Sequence, residues 1–255
     1  MNFTIVVATY NAESCLEGLL HSIRPQKNQD VELIIIDGGS NDNTVSIIET
    51  HNEIIDFWIS EPDKGIYDAW NKGIKYSNGD WILFLGADDF LSEDSITIYN
   101  NFLSSSSFSP DLEYICAKVQ MLNSAGDSIW VNGDRWGWPQ FQKKMTVAHP
   151  GSLHSRKLFE TYGLYDLNYK ISGDYELLLR PRNKLKAAYI NNITAKMTEG
   201  GVSDSWNGIK EYIQAAVKTG GANPFMAATL GFYMLLKANI NTVGRKFGFN
   251  FNRKR

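Results

Sequence analysis

The strongest constraint on this chain is a rhythm in residues 3–90. Four short apolar runs, 3–8, 31–36, 57–60 and 81–85, alternate with stretches of helical spacing. The longer runs are continuously apolar rather than alternating, as in strands covered on both faces. Between them, Cys15, Leu16, Leu19, Leu20 and Ile23 share one helical face, and Pro25 closes that segment. Residues 44–50 and 67–76 predict two further helices, the second with Gly79 near its C-cap. Strand and helix in alternation, with short loops, predict βαβ units and a parallel sheet. Ligands of such sheets bind beyond the carboxyl ends of the strands. Three polar loops, 9–13, 37–44 and 86–89, fall there.

The second half is less regular. Residues 114–122 and 128–131 predict an antiparallel pair around Asn123-Ser-Ala-Gly, followed by a Trp-, Pro- and Gly-rich loop over 135–141. Helices are expected at 156–162, 175–185 and 205–218, with a glycine turn at 199–203. A chain of 255 residues with 43% hydrophobic and 21% charged residues is one large folded domain, not a disordered tract. Cys15 and Cys116 form no CxxC pair, which argues against a disulfide framework or a cysteine zinc site. The N-terminus lacks the basic region of a signal peptide and runs straight into a strand pattern, so a cytoplasmic protein is expected.

Charge is unevenly spread. Residues 1–211 carry a formal −10 and residues 212–255 carry +7 with no acidic group. Residues 225–240 are largely apolar, but too short and interrupted for a membrane span. An amphipathic helix lying on the cytoplasmic face of the inner membrane fits this segment. The other readings are packing on the catalytic domain or a homodimer contact.

Each polar loop offers chemistry and a structural alternative. Thr9-Tyr-Asn11 can hydrogen-bond a base or ribose, or Asn11 can cap a helix. In Asp37-Gly-Gly-Ser-Asn-Asp-Asn-Thr44 the glycines let a ligand approach the backbone, and Asp37 is an acceptor for a nucleobase N–H or a ribose hydroxyl. Ser40 or Asp42 can instead cap the turn. Asp68 and Lys72 are spaced i, i+4, which allows a helix-surface salt bridge or a nucleotide contact with Lys72 near a phosphate. Asp88 and Asp89 are adjacent carboxylates straight after an apolar strand. Joint burial calls for a cation, typically Mg²⁺ or Mn²⁺ held by one carboxylate plus substrate phosphates. An exposed acidic turn is the alternative.

As a set these stretches resemble glycosyltransferase family 2, the inverting enzymes of the GT-A fold. The matching residues are Val6-Val-Ala-Thr-Tyr-Asn11, Ile36-Asp-Gly-Gly-Ser-Asn-Asp-Asn-Thr44, Asp63-Lys-Gly-Ile-Tyr-Asp68 with Asn71-Lys-Gly73, and Leu83-Phe-Leu-Gly-Ala-Asp-Asp89. The resemblance covers 3–95 and continues more weakly to about residue 203, through His149-Pro-Gly-Ser-Leu-His154, Arg156 to Asp166, and Ser172-Gly-Asp-Tyr-Glu-Leu-Leu-Leu-Arg180. It implies an α/β, Rossmann-like, mostly parallel central sheet flanked by helices. A catalytic domain would span 1–204, with a nucleotide half (1–95) and an acceptor half (96–204). A helical, basic extension would follow at 205–255.

The resemblance also implies roles. Thr9, Tyr10, Asn11, Glu13, Asp37, Gly38, Ser40, Asp68, Lys72 and Asp88 are expected to hold the nucleotide, and Asp88 to bind Mn²⁺ or Mg²⁺. Gly86 stands where the metal motif has its first Asp, a position that faces the ribose or a metal-bound water. Asp174 is the expected base, with Gly173 where the family has Glu; Glu176 and Asp166 are the fallback bases. Asp89, His149, Gly200 and Gly201 are assigned to the acceptor or phosphate region; glycine content alone suggests a hinge or lid over Gly200 to Ser203.

The implied reaction moves a sugar from a nucleotide donor, UDP being common in the family, to a hydroxyl of a glycan or polyprenyl-diphosphate-linked saccharide. Such acceptors belong to bacterial O-antigen, capsule or exopolysaccharide synthesis. No nucleic-acid partner is expected. A sugar-nucleotide-forming nucleotidyltransferase would show a Gly-rich N-terminal loop followed by Arg and Lys, where this chain has Ala8-Thr-Tyr-Asn. A binding module without activity has Gly86 and Gly173 in its favour.

Overall fold

In a computed structural model, residues 2–199 and 205–246 are described, 236–246 as backbone alone. The expected glycine lid at Gly200 and Gly201 lies outside the described residues, as does the boundary expected at 204.

Four parallel strands form the N-terminal half: β1 (Phe3–Thr9), β2 (Val31–Asp37), β3 (Phe57–Ser60) and β4 (Trp81–Gly86). Three helices connect them: α1 (Leu16–Ile23), α2 (Thr44–Thr50) and α3 (Ile66–Tyr76). The order β3-β2-β1-β4 places β2 and β4 on opposite sides of β1. The chain reverses direction across the sheet there, so the loops after β1 and β4 part and leave a crevice at their carboxyl ends.

Strand periodicity sorts the core into two layers. Phe3, Ile5 and Val7 pack on one face with Leu16, Leu19, Leu20 and Ile23 of α1 and Ile48 of α2. Val6 and Ala8 pack on the other with Tyr67, Trp70 and Ile74 of α3. Both faces of β1 are therefore dry, which is why its sequence is largely apolar, the hydroxyls of Thr4 and Thr9 being hydrogen-bonded to Glu32 and Asp37.

Beyond β4 the sheet becomes mixed. β5 (Phe90–Leu91) and α4 (Ser95–Leu103) lead to β6 (Tyr114–Leu122) and β7 (Ser128–Asn132), then α5 (Trp138–Phe141), β8 (Leu153–Ser155) and α6 (Arg156–Tyr162). α7 (Gly173–Leu179), β9 (Ala187–Thr198), α8 (Trp206–Lys218) and α9 (Pro224–Lys246) complete the described chain. β8 pairs antiparallel with β4 and with β6, β9 runs parallel to β6, and the order ends β4-β8-β6-β9-β5.

Several expectations shift. The helix expected over 175–185 starts earlier and stops at Leu179, with a 3₁₀ turn at Arg182–Lys184. Pro181 lacks the N–H that a continuing helix needs. The 135–141 loop contains the short helix α5. Helix α3 ends at Tyr76 as expected, but its C-cap is Ser77; Gly79 instead lies against β1, where a Cβ would sit 2.6 Å from the Thr4 nitrogen. β5, α4, β8 and the long β9 have no counterpart in the sequence reading.

α8 packs into the second core through Tyr212, Ala215 and Ala216. α9 lies along α8, with Ala227 buried and Gly231 so close that a Cβ would fall 2.2 Å from Ile213 Cδ1. Its other face leaves Phe225, Met226, Phe232 and Tyr233 exposed. No helix among the described residues is long and apolar enough to cross a membrane.

Gly73 sets how closely α3 approaches the sheet, because a Cβ there would lie 2.2 Å from Val6 Cγ1. Alanine gains roughly 1 kcal/mol in helix propensity, but overpacking a core costs about 1–3 kcal/mol. Gly73→Ala should therefore lower stability by about 1–2 kcal/mol in urea unfolding. Adding Val6→Ala should recover part of that loss; a neutral or stabilising single substitution would contradict the packing described.

Candidate active site

Parallel register brings Thr9, Asp37 and Ser60 side by side at the strand ends. Asp37 has no exposed surface. Its carboxylate accepts the Thr9 hydroxyl (3.0 Å), the Ser40 hydroxyl (2.5 Å), the Ser60 hydroxyl (2.6 Å) and the N–H groups of Gly39 (3.1 Å) and Ser40 (2.9 Å). Burial alone would raise its pKa, but the hydrogen bonds from Ser40, Ser60 and Thr9 outweigh that and hold it below the usual carboxylate range. These five donors occupy both oxygens. Asp37 thus ties the end of β1, the end of β3 and the turn after β2 together.

The first two polar loops interlock. Asn11, at a φ of 47°, donates its N–H to Ser40 Oγ (2.8 Å) and accepts the Asn41 N–H through Oδ1 (2.9 Å). Glu13 Oε2 accepts from the backbone and side chain of Asn43 (3.0 and 2.8 Å), while Asp42 Oδ2 accepts the Glu13 N–H (3.1 Å). Asn11, Glu13 and Ser40 are therefore bound into the loop framework. Tyr10 is the exception, an aromatic ring 62% exposed beside Gly38. Asp63 shares that spot: a Cβ on Gly38 would lie 2.7 Å from Asp63 Oδ2 and 3.3 Å from Tyr10 Cδ2.

Asp68 opens the first turn of α3 and accepts the Lys64 N–H (3.0 Å). No Asp68–Lys72 pair forms. Lys72 Nζ instead binds Glu61 (2.8 Å) and donates to the Pro62 carbonyl (3.2 Å), both in the chain leaving β3.

The acidic loop separates its two carboxylates. Asp88 is exposed, whereas Asp89 is buried and accepts the Gly86 N–H (2.8 Å). Burial is the main cause that pushes Asp89 up to about 7, opposed by that hydrogen bond and aided by the neighbouring Asp88 charge. A Cβ on Gly86 would lie 3.0 Å from Asp88 Oδ1 and 3.5 Å from Asp89 Oδ2, so glycine leaves this cradle open. A buried acid kept half-protonated beside an exposed carboxylate marks a place short of positive charge. The all-oxygen donor set fits Mg²⁺ or Mn²⁺.

Between α3 and α7 the Tyr67 hydroxyl donates to Asp174 Oδ1 (3.0 Å) and lies 2.8 Å from the Ile171 carbonyl. Burial raises the Asp174 pKa, against the hydrogen bonds from the Tyr175 N–H and the Tyr67 hydroxyl. Glu211 of α8 fixes the approach to Asp174 by accepting the N–H groups of Lys170 (2.9 Å), Ile171 (2.7 Å) and Ser172 (3.1 Å).

The fallback bases are otherwise engaged. Glu176 is buried and paired with Arg180 (2.5 Å) and the Thr219 hydroxyl (2.9 Å), and Asp166 accepts from Asn168 (2.9 Å) to close a turn. His149 is a core residue, stacked on Trp70 (4.5 Å) with Nε2 against the Tyr165 hydroxyl (2.9 Å). Burial holds it well below the usual histidine range, hence neutral.

Tyr67, Ser60, Asp63 and Glu211 escaped the sequence reading. Ser60 was accessible to it, since in-register pairing of the second and third strands puts Ser60 opposite Asp37. Glu211 was not, because its partners lie about forty residues away across a helix contact.

Asp89 gives the loop a pH signature. A carboxylate at about 7 in the folded state and near 3.9 unfolded holds its extra proton only when folded. Its contribution is full below pH 4 and is lost as pH rises from about 4 to 7. Asp89→Asn should flatten that slope and raise stability above pH 7.5 by about 1–3 kcal/mol without divalent cations. Denaturant titrations across pH would show it; an unchanged slope would refute it.

The Glycosyl transferase family 2 model matches residues 4–104. A PGL/p-HBAD biosynthesis glycosyltransferase of Mycobacterium bovis is 32% identical over 215 residues, covering 80% of this chain and 79% of that protein. Among solved structures, S. aureus TarS 1–349 in complex with UDP-GlcNAc aligns with a TM-score of 0.67 at 15% identity, covering 96% of this chain and 75% of that one. The glucosyl-3-phosphoglycerate synthase of Mycobacterium tuberculosis in complex with Mn²⁺, UDP and glucosyl-3-phosphoglycerate aligns at 0.60 and 16% identity, covering 87% and 81%. The fold is thus GT-A, and the chain belongs to glycosyltransferase family 2 and is a glycosyltransferase.

Proposed function

We propose that the protein transfers a sugar from a UDP-sugar, with inversion, to a hydroxyl of a lipid-linked or glycan acceptor, and that Asp174 is the base. The observation that carries this reading is the Tyr67–Asp174 hydrogen bond. It joins the nucleotide-side helix directly to a desolvated carboxylate at the start of α7. In-line displacement needs one side-chain base that takes the acceptor proton as its oxygen attacks the anomeric carbon. A carboxylate raised by burial is a stronger base than an exposed one, and the Tyr67 hydroxyl keeps it aimed.

On the donor side, the exposed Tyr10 ring offers a stacking surface for the base, and Asp68 lies at the rim. Thr9, Asn11, Glu13, Asp37, Gly38 and Ser40 shape that surface as a rigid backbone loop. Lys72 stays near the rim through Glu61. Asp88 would hold the divalent cation, with Asp89 beneath it; when bound, that cation neutralises charge on the departing diphosphate. UDP is favoured because TarS and the mycobacterial synthase were solved with UDP-GlcNAc and UDP. A lipid-linked acceptor is favoured by the PGL/p-HBAD relative and by α9, whose exposed Phe225, Met226, Phe232 and Tyr233 repeat at i, i+1, i+7 and i+8 along one stripe. The basic tail beyond it suits an anionic inner-leaflet surface.

Asp174→Asn should cut transfer from UDP-sugars by about 10²–10⁴-fold while sparing Mn²⁺-dependent UDP binding. Loss of both together would remove the base assignment. Tyr67→Phe deletes a bond to the charged form of Asp174, so the base pKa rises. The acid limb of kcat/KM should then move up by about one pH unit; a uniform loss with the limb unmoved would make Tyr67 merely structural.

Vesicle flotation tests the surface role of α9. The full chain should float with vesicles rich in anionic lipid, and Phe225→Asp/Phe232→Asp should stay in the soluble fraction. A wild type that does not float refutes it, and conversion of a dimer to a monomer by the same variant would assign the stripe to self-association.

A further inference from the structure

We propose that Glu17, His21 and His51 form a site for a transition-metal dication of the zinc class, bridging helices α1 and α2 on the sheet face opposite α3. The ligand atoms of these three side chains all lie within 4.8 Å of one another. Glu17 and His21 are one helical turn apart on α1 and point the same way. His51 stands at the C-cap of α2 and is buried. The two imidazoles meet edge to face, with ring centroids 5.8 Å apart.

The buried histidine is already set in the form a metal requires. His51 Nδ1 lies 3.0 Å from the Ile47 carbonyl. A carbonyl only accepts, so Nδ1 carries the proton and Nε2 keeps its lone pair. Metal-bound histidines are commonly fixed in this way, one nitrogen held by a carbonyl while the other binds. Glu17 and His21 are exposed and free to rotate, so the set can contract to the roughly 2.0–2.2 Å metal–ligand distances of zinc. Arg24, the C-cap of α1, is paired with Glu53 at 2.5 Å, which limits its repulsion of a bound dication.

Two imidazoles and one carboxylate suit zinc, cobalt, nickel or copper rather than the magnesium class, which prefers oxygen alone. Three protein ligands leave a fourth position for water. This chemistry differs from that of Asp88 and Asp89, so the two sites sort different ions. α1 and α2 follow the interlocked loops 9–13 and 37–44, so a metal clip between them would brace the donor side of the molecule from behind.

The test is equilibrium dialysis of the metal-free full chain against Zn²⁺ in excess Mg²⁺, which occupies oxygen-only sites. Wild type should retain about one zinc ion per chain. His21→Gln and His51→Gln should each weaken that binding by at least about ten-fold. With Co²⁺ in place of zinc, wild type should show visible ligand-field absorption that both variants lose. His21 is exposed, so His21→Gln should keep the wild-type far-UV spectrum and, without metal, the wild-type Tm. This keeps the test decisive even if His51→Gln misfolds. No zinc retained by wild type, or His21→Gln holding zinc as tightly as wild type, would overturn the proposal.

Discussion

Two polar side chains on one face of α3 hold the two halves of this molecule in register. Asn71 donates to the Tyr165 carbonyl and accepts the Tyr165 N–H, both at 2.9 Å, in a buried setting. One turn earlier, Tyr67 reaches the Ile171 carbonyl and Asp174. Lys170 adds a third link by donating to the Lys64 carbonyl (2.6 Å). An amide satisfied on both sides inside a dry seam tolerates no slip, because any shift strands buried donors. The helix that carries Asp68 in its first turn therefore also fixes where Asp174 stands, and through Gly73 it is seated tightly on β1.

Three carboxylates near this seam show how the surroundings assign roles to one functional group. Asp37 is buried but saturated with donors, so it stays charged and structural. Asp89 is buried with one strong donor and a like charge next door, so it sits near neutrality in its titration. Asp174 is desolvated yet reached by Tyr67, which favours its charged form without cancelling the cost of burial. Residue type alone separates none of these. What separates them is the count of donors each backbone context supplies.

This difference also explains what was legible in the sequence. The four parallel strands and three connecting helices were readable because covering both sheet faces forces continuous apolar runs, and α3 forces a 3.6-residue stripe. The position of the three polar loops followed from that. The mixed half was opaque for the opposite reason. β8 spans three residues and β5 two, too few for any period, and β9 leaves much of its length half-exposed. Among site residues, Asp37 was found but its hydrogen-bond partners were not all legible, since one of them is Ser60, 23 residues away. Tyr67 lay inside a matching stretch without a role of its own, and only the path of 165–174 turns its hydroxyl into a partner for Asp174. The Asp68–Lys72 spacing was real, but Glu61 offered Lys72 a nearer carboxylate.

Three glycines that look like losses against the family pattern, or like mere flexibility, share one physical reading. At Gly38, Gly86 and Gly173 a neighbouring side chain already occupies the approach that a Cβ would need. Asp63 stands 2.7 Å from the Cβ position of Gly38, Asp88 stands 3.0 Å from that of Gly86, and the Tyr67 ring stands 2.8–3.0 Å from that of Gly173. At 173 the family's glutamate could not enter without displacing the ring whose hydroxyl holds Asp174. The missing side chain and the hydrogen bond are thus two aspects of one arrangement: removing Cβ at 173 lets the phenol lie flat over the start of α7. By the same reasoning an aspartate at 86 would crowd a third carboxylate onto two that already raise each other's cost. Gly86 and Gly173 therefore do not favour an inactive module, because each fits the local packing of a carboxylate that remains in place.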